Sequence, residues 1–451
     1  MSRKSIRGLA AGVCVAAALA AGPAMAKSPG HLTVPVEEFT LPNGLHVILH
    51  EDHTVPIVHT NIWYLVGSSY EVPGKTGFAH LFEHLMFEGS GHVAEGEFDH
   101  LLETVGGNNN ASTSKDRTNY YTTVPSTALE LPLFLESDRM GYLLDKMTPD
   151  VVDNQRDVVK NEMRQSYLNR PYGRAWLEVY PLMYPEGHPY HWPVIGSMDD
   201  LSAAGYDDVA GFFKKFYVPN NASLVIAGDI DMAQTKQWVT KWFSDVKRGE
   251  PVVRPQPEPV ALDGVKTLTM TDKVSLPARI LLWHSPAYFA EGDADLDIVA
   301  AVLADAKTSR LCKRLVYEEQ IAQSVSASQS SARLGSLFTL SFIPKPGHTL
   351  DEIQKIVDEE IVRLQNEPPT QRELDLIING LETSLYHTME RLFTKSDRLN
   401  MYYWNLGKCD SFAYDLQRYH NVTPASVQAA AKKYLPIGRR AELSVMPEEA
   451  K

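Results

Sequence analysis

Four prolines in ten residues, in Glu250-Pro251-Val252-Val253-Arg254-Pro255-Gln256-Pro257-Glu258-Pro259, keep any helix or central strand from running through the middle of this chain. Such a run is extended and semi-rigid. It leaves two stretches of similar size, and in a chain of 451 residues each is long enough to bury a core of its own. The expected division is 27–248, a connector at 249–260, and 261–451. The two stretches also close alike. The first ends with an amphipathic helix through Phe212, Phe213 and Phe216, then Pro219, then a strand at 222–227. The second ends with a helix from Thr423-Pro424 to Tyr434, then Pro436, then a strand at 441–445. This echo suggests an internal duplication.

Alternating apolar residues predict strands at 39–41, 45–49 and 57–66, with Asn43-Gly44 as a hairpin turn. Helical periodicity follows at 78–88, 95–104, 127–145 and 149–168. The second stretch repeats the type, with strands near 266–271, 278–284 and 335–343 and helices near 292–304, 308–318, 349–366 and 370–391. Strands in clusters followed by helices in clusters indicate the α+β class: two homologous sandwich domains, each a mostly antiparallel sheet packed with helices.

The formal net charge of −13 argues against nucleic acid and anionic membranes as partners. Arg3, Lys4 and Arg7 precede an apolar run that ends at Ala24-Met25-Ala26, which reads as a secretory signal peptide over 1–26. The run is too short to span a bilayer, so no membrane anchor is expected. Export follows, to the periplasm in a Gram-negative bacterium. Beyond the leader stand Cys312 and Cys409, either a pair or two separate thiols, and too few for a disulfide framework. No Cys-x-x-Cys occurs, so any metal must be held by histidine and carboxylate.

The segment His80-Leu81-Phe82-Glu83-His84 offers those groups. Thr76 is expected to cap its helix and Gly89 to stop it. His80 and His84 then emerge one turn apart on one face, with Glu83 beside them and outside the pair. Phe78, Leu81, Phe82, Leu85, Met86 and Phe87 make the rest of the helix apolar. Two histidines and a glutamate on a buried helix are costly unless paired or bound to metal. The order is the inverse of the thermolysin type. A catalytic Zn²⁺ needs a third protein ligand and an open position. A later helix, capped by Thr148 with Pro149 in its first position, carries Glu162. By composition alone Glu162 would be a solvated helix glutamate.

With these residues the chain resembles the pitrilysin/insulinase family of zinc peptidases, which includes the mitochondrial processing peptidase. The resemblance covers essentially the whole chain after the leader. It implies His80, His84 and Glu162 as ligands of one Zn²⁺ per chain, Glu162 matching the family's spacing at 78 residues beyond His84. It implies Glu83 as the catalytic base, and two related domains forming half of a clam-shell around a chamber. A second matching region is Gly106-Gly107-Asn108-Asn109-Asn110-Ala111-Ser112-Thr113, followed by Arg117-Thr118-Asn119-Tyr120-Tyr121. In the family it is an edge strand to which peptide substrates add, which implies Asn109, Asn110, Ala111, Ser112 and Thr113 as substrate-binding residues.

The chain departs from the family pattern at two places. Many relatives carry a glutamate seven residues before the ligand glutamate, where this chain has Gln155, a group able to hydrogen-bond behind the ligands but uncharged. Relatives also place an Arg and a Tyr seven residues apart in the second half to stabilise the oxyanion; here those positions hold Val316 and Gln323. The expectation is therefore a zinc metalloendopeptidase acting on peptides or unfolded segments, as the zinc-bearing member of a heterodimer whose other half-size subunit supplies the Arg/Tyr pair. A homodimer is the second choice, and a non-catalytic zinc-dependent peptide-binding or scaffold subunit is the alternative function. The loop Gly187-His188-Pro189-Tyr190-His191-Trp192-Pro193 is expected to be packed rather than to meet substrate.

Overall fold

Alternation in Ile57–Tyr64 places Val58, Ile62 and Tyr64 in an apolar core and turns His59, Asn61 and Trp63 the other way, yet nearly the whole strand is buried. A strand buried on both faces must be covered on both faces, and this sets the architecture. The structure is a computed structural model and describes residues 32–448; the leader expected over 1–26 lies outside the described residues. Its first sheet comprises β1 (Glu37–Thr40), β2 (His46–Glu51), β3 (Ile57–Tyr64), β4 (Asn108–Thr113), β5 (Thr118–Pro125) and β6 (Ala222–Gly228), in the order β1-β2-β6-β3-β5-β4. The second comprises β7 (Lys266–Asp272), β8 (Ala278–Ser285), β9 (Ala322–Ser330), β10 (Ser336–Pro344) and β11 (Ala441–Pro447), in the order β7-β11-β8-β10-β9. In each, the last strand of the half inserts parallel to the half's early strand and antiparallel to the next: β6 between β2 and β3, β11 between β7 and β8. All other pairings are antiparallel. The fold is α+β, with two sheets of matching topology.

Helices of the first half are α1 (Phe78–Leu85), α2 (Glu97–Thr104), α3 (Glu130–Tyr142), α4 (Pro149–Met163), α5 (Gly173–Met183), α6 (Met198–Ala203), α7 (Tyr206–Phe216) and α8 (Met232–Phe243). Those of the second are α9 (Asp293–Ala304), α10 (Leu350–Asn366), α11 (Gln371–Glu390), α12 (Leu392–Leu406), α13 (Phe412–His420) and α14 (Pro424–Tyr434). Residues 249–262 form neither helix nor strand. Each sheet packs its own half's helices on one face and one helix of the other half on the opposite face. Ala175, Val179, Leu182 and Met183 of α5 join Ile280, Leu282, Leu443 and Val445 of the second sheet. α12 lies across β3 and β6 of the first sheet, where Asn400 donates to the carbonyl of Asn61 (2.9 Å) and Ser223 donates to Asn400 (2.5 Å). Burying each large aliphatic side chain of α5 contributes about 1.5–3 kcal/mol, so this exchange fastens the halves together. Among the described residues no helix is long and apolar enough to cross a membrane.

Several expected boundaries shift. The helix read as 127–145 is α3 with a 3₁₀ turn at each end. The helix read as 149–168 is α4 followed by a wide π-helical turn, Arg164–Leu168, and 308–318 is largely another π-helical segment, Cys312–Glu318. The helix read as 78–88 ends at Leu85. Gly89 is not its left-handed stop; it lets the Ser90–Val93 turn close, since a Cβ there would stand 3.0 Å from the amide nitrogen of Glu95.

Candidate metal centre

α1 begins without the cap expected of Thr76. Gly77 is left-handed at φ 87°, and Thr76 instead donates its backbone N–H (2.9 Å) and its hydroxyl (2.5 Å) to Asp200. The first amides of the helix are met by the buried Glu71, whose carboxylate accepts from Gly77 N (3.0 Å) and Ala79 N (2.8 Å). A carboxylate at a helix N-terminus also opposes the macrodipole favourably. Burial pushes the Glu71 carboxyl up to about 8, against the lowering effect of those two amides. α4 is capped as expected, with Thr148 Oγ1 accepting from Val151 N (3.3 Å) and Pro149 in the first turn.

The two helices bring three side chains together. His80 Nε2 lies 3.6 Å and His84 Nε2 3.3 Å from the same oxygen of Glu162, Oε2. Ligand atoms of the three residues all lie within 4.8 Å of one another, and this is the metal-capable cluster found among the described residues. Burial, the largest influence, holds the His80 imidazole below its ordinary value. The hydrogen bond from His84 holds the Glu162 carboxyl below its ordinary value. A neutral imidazole and an ionised carboxylate are the forms that ligate a metal. Two imidazole nitrogens and one carboxylate oxygen, with no thiolate, are a donor set that fits Zn²⁺ with a position left open. Nδ1 of His80 has no hydrogen-bond partner among the described residues, so the ring is oriented by packing and by its Nε2 contact with Glu162.

Glu83 stands on the same helix outside this cluster. Its Oε2 accepts from Thr113 Oγ1 at 2.6 Å, at the end of β4. Tyr120 OH donates to the carbonyl of Phe82 (3.1 Å), tying β5 to the same helix. β4 is the outer strand of its sheet. The hydrogen bond from Ser114 N to Arg117 O (2.8 Å) fixes the hairpin's phase, so Asn110 and Ser112 face β5 while Asn109, Ala111 and Thr113 turn their backbone groups to the free edge. The edge amide of Ala111 is met by the side chain of Asn110 (2.8 Å), an intramolecular stand-in that an incoming strand would displace. Asn109 donates to Asp99 (2.8 Å) and Ser112 to Asn119 (2.6 Å). Arg117 grips both the carbonyl (2.7 Å) and the hydroxyl (2.6 Å) of Ser112.

Gln155 lies elsewhere: its amide donates to Glu88 Oε1 (2.5 Å), beyond the end of α1, rather than to the histidines. Sequence patterns carried no sign of Glu71 or of Asp397 on α12. The latter accepts from Trp63 Nε1 (3.0 Å) and Asn119 Nδ2 (3.3 Å) beside the edge strand. The 187–193 loop is packed, with His188 buried and stacked on Tyr184, and His191 bonded to the Tyr184 carbonyl (2.8 Å). In the second half, Val316 is half-buried against the core and Gln323 is exposed on β9. Arg314, two residues from Val316, is occupied by Glu319, Glu359 and Glu360. Cys312 and Cys409 are separate thiols, and burial pushes the Cys409 thiol up to about 12.

Known proteins resemble this chain in sequence and in fold. Residues 46–171 match the family model described as insulinase, peptidase family M16, and residues 203–381 match the one described as the peptidase M16 inactive domain. The zinc protease PqqE of Helicobacter pylori is 30% identical over 361 residues, covering 77% of this chain and 80% of that protein. An uncharacterized zinc protease of Mycobacterium leprae is 27% identical over 401 residues, 88% of each chain. Among solved structures, a protease from Helicobacter pylori superposes with a TM-score of 0.86 at 26% identity, over 92% of this chain and all (100%) of that one. The periplasmic protease PqqL from Escherichia coli shares the fold, with a TM-score of 0.76 at 18% identity, and this chain covers 48% of it.

Proposed function

Because the chain belongs to the insulinase family of peptidases, M16, we propose that it is a zinc metalloendopeptidase, with one Zn²⁺ per chain, that hydrolyses peptides or unfolded segments in a closed chamber. The observation that carries this reading is the convergence of His80 Nε2 and His84 Nε2 on Glu162 Oε2, with Glu83 left outside the cluster. Bound there, zinc would supply the positive charge that polarises a water and the scissile carbonyl. Glu83 takes the proton from that water and passes it to the leaving amine. Thr113 orients Glu83 through its 2.6 Å hydrogen bond. Asn109, Ala111 and Thr113 offer backbone donors and acceptors to an extended peptide, while Asn110 and Ser112 flank it with small polar side chains, a mode tolerant of sequence. Gln155 acts at one remove, by holding Glu88 at the far end of α1.

On this reading 1–26 is an export signal, 27–248 the zinc-binding domain, 249–260 the connector and 261–451 a related domain without a metal site. The oxyanion half of the chemistry lacks the Arg/Tyr pair, with Val316 and Gln323 in its place, and Arg314 is held by three carboxylates. A second half-size subunit carrying the Arg/Tyr pair completes the site across the chamber. The test measures metal content and peptide-library digestion for the wild type, His80→Ala and His84→Ala, with and without a companion half-size chain. About one zinc per wild-type chain is expected, with loss of both zinc and turnover in the variants. Full turnover by metal-free protein would refute the mechanism. Equal activity with and without the companion would remove the heterodimer and leave the homodimer.

A further inference from the structure

A cavity of about 840 Å³ opens between the end of α4, the following π-helical turn, α5 and the 186–198 loop. Its volume is that of a site for a small molecule or a pair of side chains. Met163, Leu168, Leu177, Pro181, Trp192 and Met198 give it an apolar floor. Glu178 and Glu186 stand at its rim, exposed, and neither forms an ion pair among the described residues. No lysine or arginine lines it. An apolar floor beneath unpaired carboxylates is complementary to a group that is apolar on one side and cationic on the other.

The cavity is separate from the candidate metal centre, since His80, Glu83, His84 and Glu162 do not line it. It nevertheless touches the end of α4, through Met163, and the segment leading into α1, through Thr76. Met163 directly follows Glu162 in α4. On the other side the wall is the segment that clamps the start of α1: Ser197 N donates to Thr76 Oγ1 (3.1 Å), and Gly196, left-handed at φ 76°, lies so close that a Cβ on it would stand 2.5 Å from Gly77 Cα. That wall is rigid, and Trp192 is fixed in it by donating to the Ser68 carbonyl (2.9 Å).

We propose that this cavity is a second peptide-binding site, taking a bulky apolar side chain with a basic residue beside it. The inference deepens the peptidase reading by naming a preferred class of peptide, and it rests on that reading for its biological use but not for the binding itself. The floor receives the apolar group, and Glu178 and Glu186 receive the cation. Exposed ion pairs contribute little, so selectivity for charge is modest and the apolar floor supplies most of the affinity.

Binding is measured by calorimetry on the full-length Glu83→Gln protein, so that no probe is cleaved, with metal content determined in parallel. The probes are the blocked dipeptides acetyl-Phe-Arg-amide, acetyl-Phe-Glu-amide and acetyl-Gly-Arg-amide. The Phe-Arg probe is expected to bind about fivefold to tenfold more tightly than Phe-Glu, and to exceed Gly-Arg by a wider margin. That preference for Phe-Arg over Phe-Glu should vanish in the Glu178→Gln/Glu186→Gln double variant, and Leu177→Asp should abolish binding of Phe-Arg. Equal affinity for Phe-Arg and Phe-Glu, or a preference that survives in the double variant, overturns the proposal. A protein that binds Phe-Arg selectively yet holds no zinc would instead refute the peptidase reading and leave this site standing.

Discussion

α1 and α9 occupy equivalent places, each following the strand that pairs antiparallel with the inserted one, and each packed near an edge strand, β4 or β9. Their chemistry is opposite. α9 fills its position with Leu296, Val299, Ala300 and Leu303, all buried. Two of its three carboxylates are taken up by neighbours, Asp293 by Arg418, Gln329 and Ser331, and Asp297 by Tyr419, while Asp295 Oδ1 has no hydrogen-bond partner among the described residues. α1 instead carries His80, Glu83 and His84, partly open to solvent, with Glu83 reaching its edge strand through Thr113. One scaffold thus holds a helix given over to packing in one half and a helix that trades packing for imidazole and carboxylate side chains in the other. The difference teaches that the topology does not make the site; the polar substitutions on one helix and the strand beside it do.

The comparison breaks first at Glu83. Glu83→Gln keeps the shape and removes the base, so peptide turnover should fall roughly thousandfold while zinc content stays unchanged. Near-full turnover in that variant would mean that α1 has no chemical advantage over α9. The complementary substitution is Leu296→Ala in α9, a fully buried side chain. It should lower the unfolding free energy by about 3 kcal/mol in denaturant titration, with zinc content and turnover per folded molecule preserved.

A smaller effect separates the sheets from their solvent. His59 on β3 and His284 on β8 are both held down to about 4 by burial, from an ordinary value of 6.5. A depressed value in the folded state means that the stability is complete above the unfolded value and is lost as pH falls from 6.5 toward 4. Each histidine accounts for up to roughly 3 kcal/mol of that loss. His59→Gln should therefore lessen the fall in unfolding free energy between pH 7 and pH 4.5 by about 2 kcal/mol, and His284→Gln should do the same in the other sheet. Identical acid profiles for wild type and variants would show that these rings are not buried neutral.

The duplication was legible because the helix, proline and strand that close each half are local patterns, and the structure gives β6 and β11 the same place in their sheets. The spacing of His80 and His84 was legible because helical geometry fixes it, and the family resemblance singled out Glu162, whose carboxylate the structure brings beside both imidazoles. What escaped is what depends on contacts distant in sequence. β9 reads Ala-Gln-Ser-Val-Ser-Ala-Ser-Gln-Ser and shows an inward face only at Ala322, Val325 and Ala327. α12 hides its packing face because Lys395, Ser396 and Asn400 are buried on it. α5 carries Pro181 within it, which reads as a break. Glu71 as the cap of α1 could not be foreseen from Thr76, whose hydroxyl is diverted by Asp200, more than a hundred residues on.

The smallest expected effect tests whether the second half is silent in the chemistry of the first. Asp397, on α12, accepts from Trp63 Nε1 (3.0 Å) and Asn119 Nδ2 (3.3 Å). Asn119 in turn accepts from Ser112 (2.6 Å), and the next residue, Thr113, holds Glu83 (2.6 Å). A helix from the second half thereby sets the position of the edge strand beside the candidate base. Asp397→Ala breaks the chain at its origin, leaves the Trp63 indole N–H unpaired in a buried setting, and leaves Asn119 Nδ2 only its bond to Asn61 (3.2 Å). KM for peptide substrates should rise about tenfold, near 1.4 kcal/mol, with zinc content intact. Asp397→Asn keeps an acceptor oxygen and should recover most of the loss. If both variants matched the wild type in KM, the edge strand would owe its register to its own hairpin, and the contrast between a chemical half and a structural half would be complete.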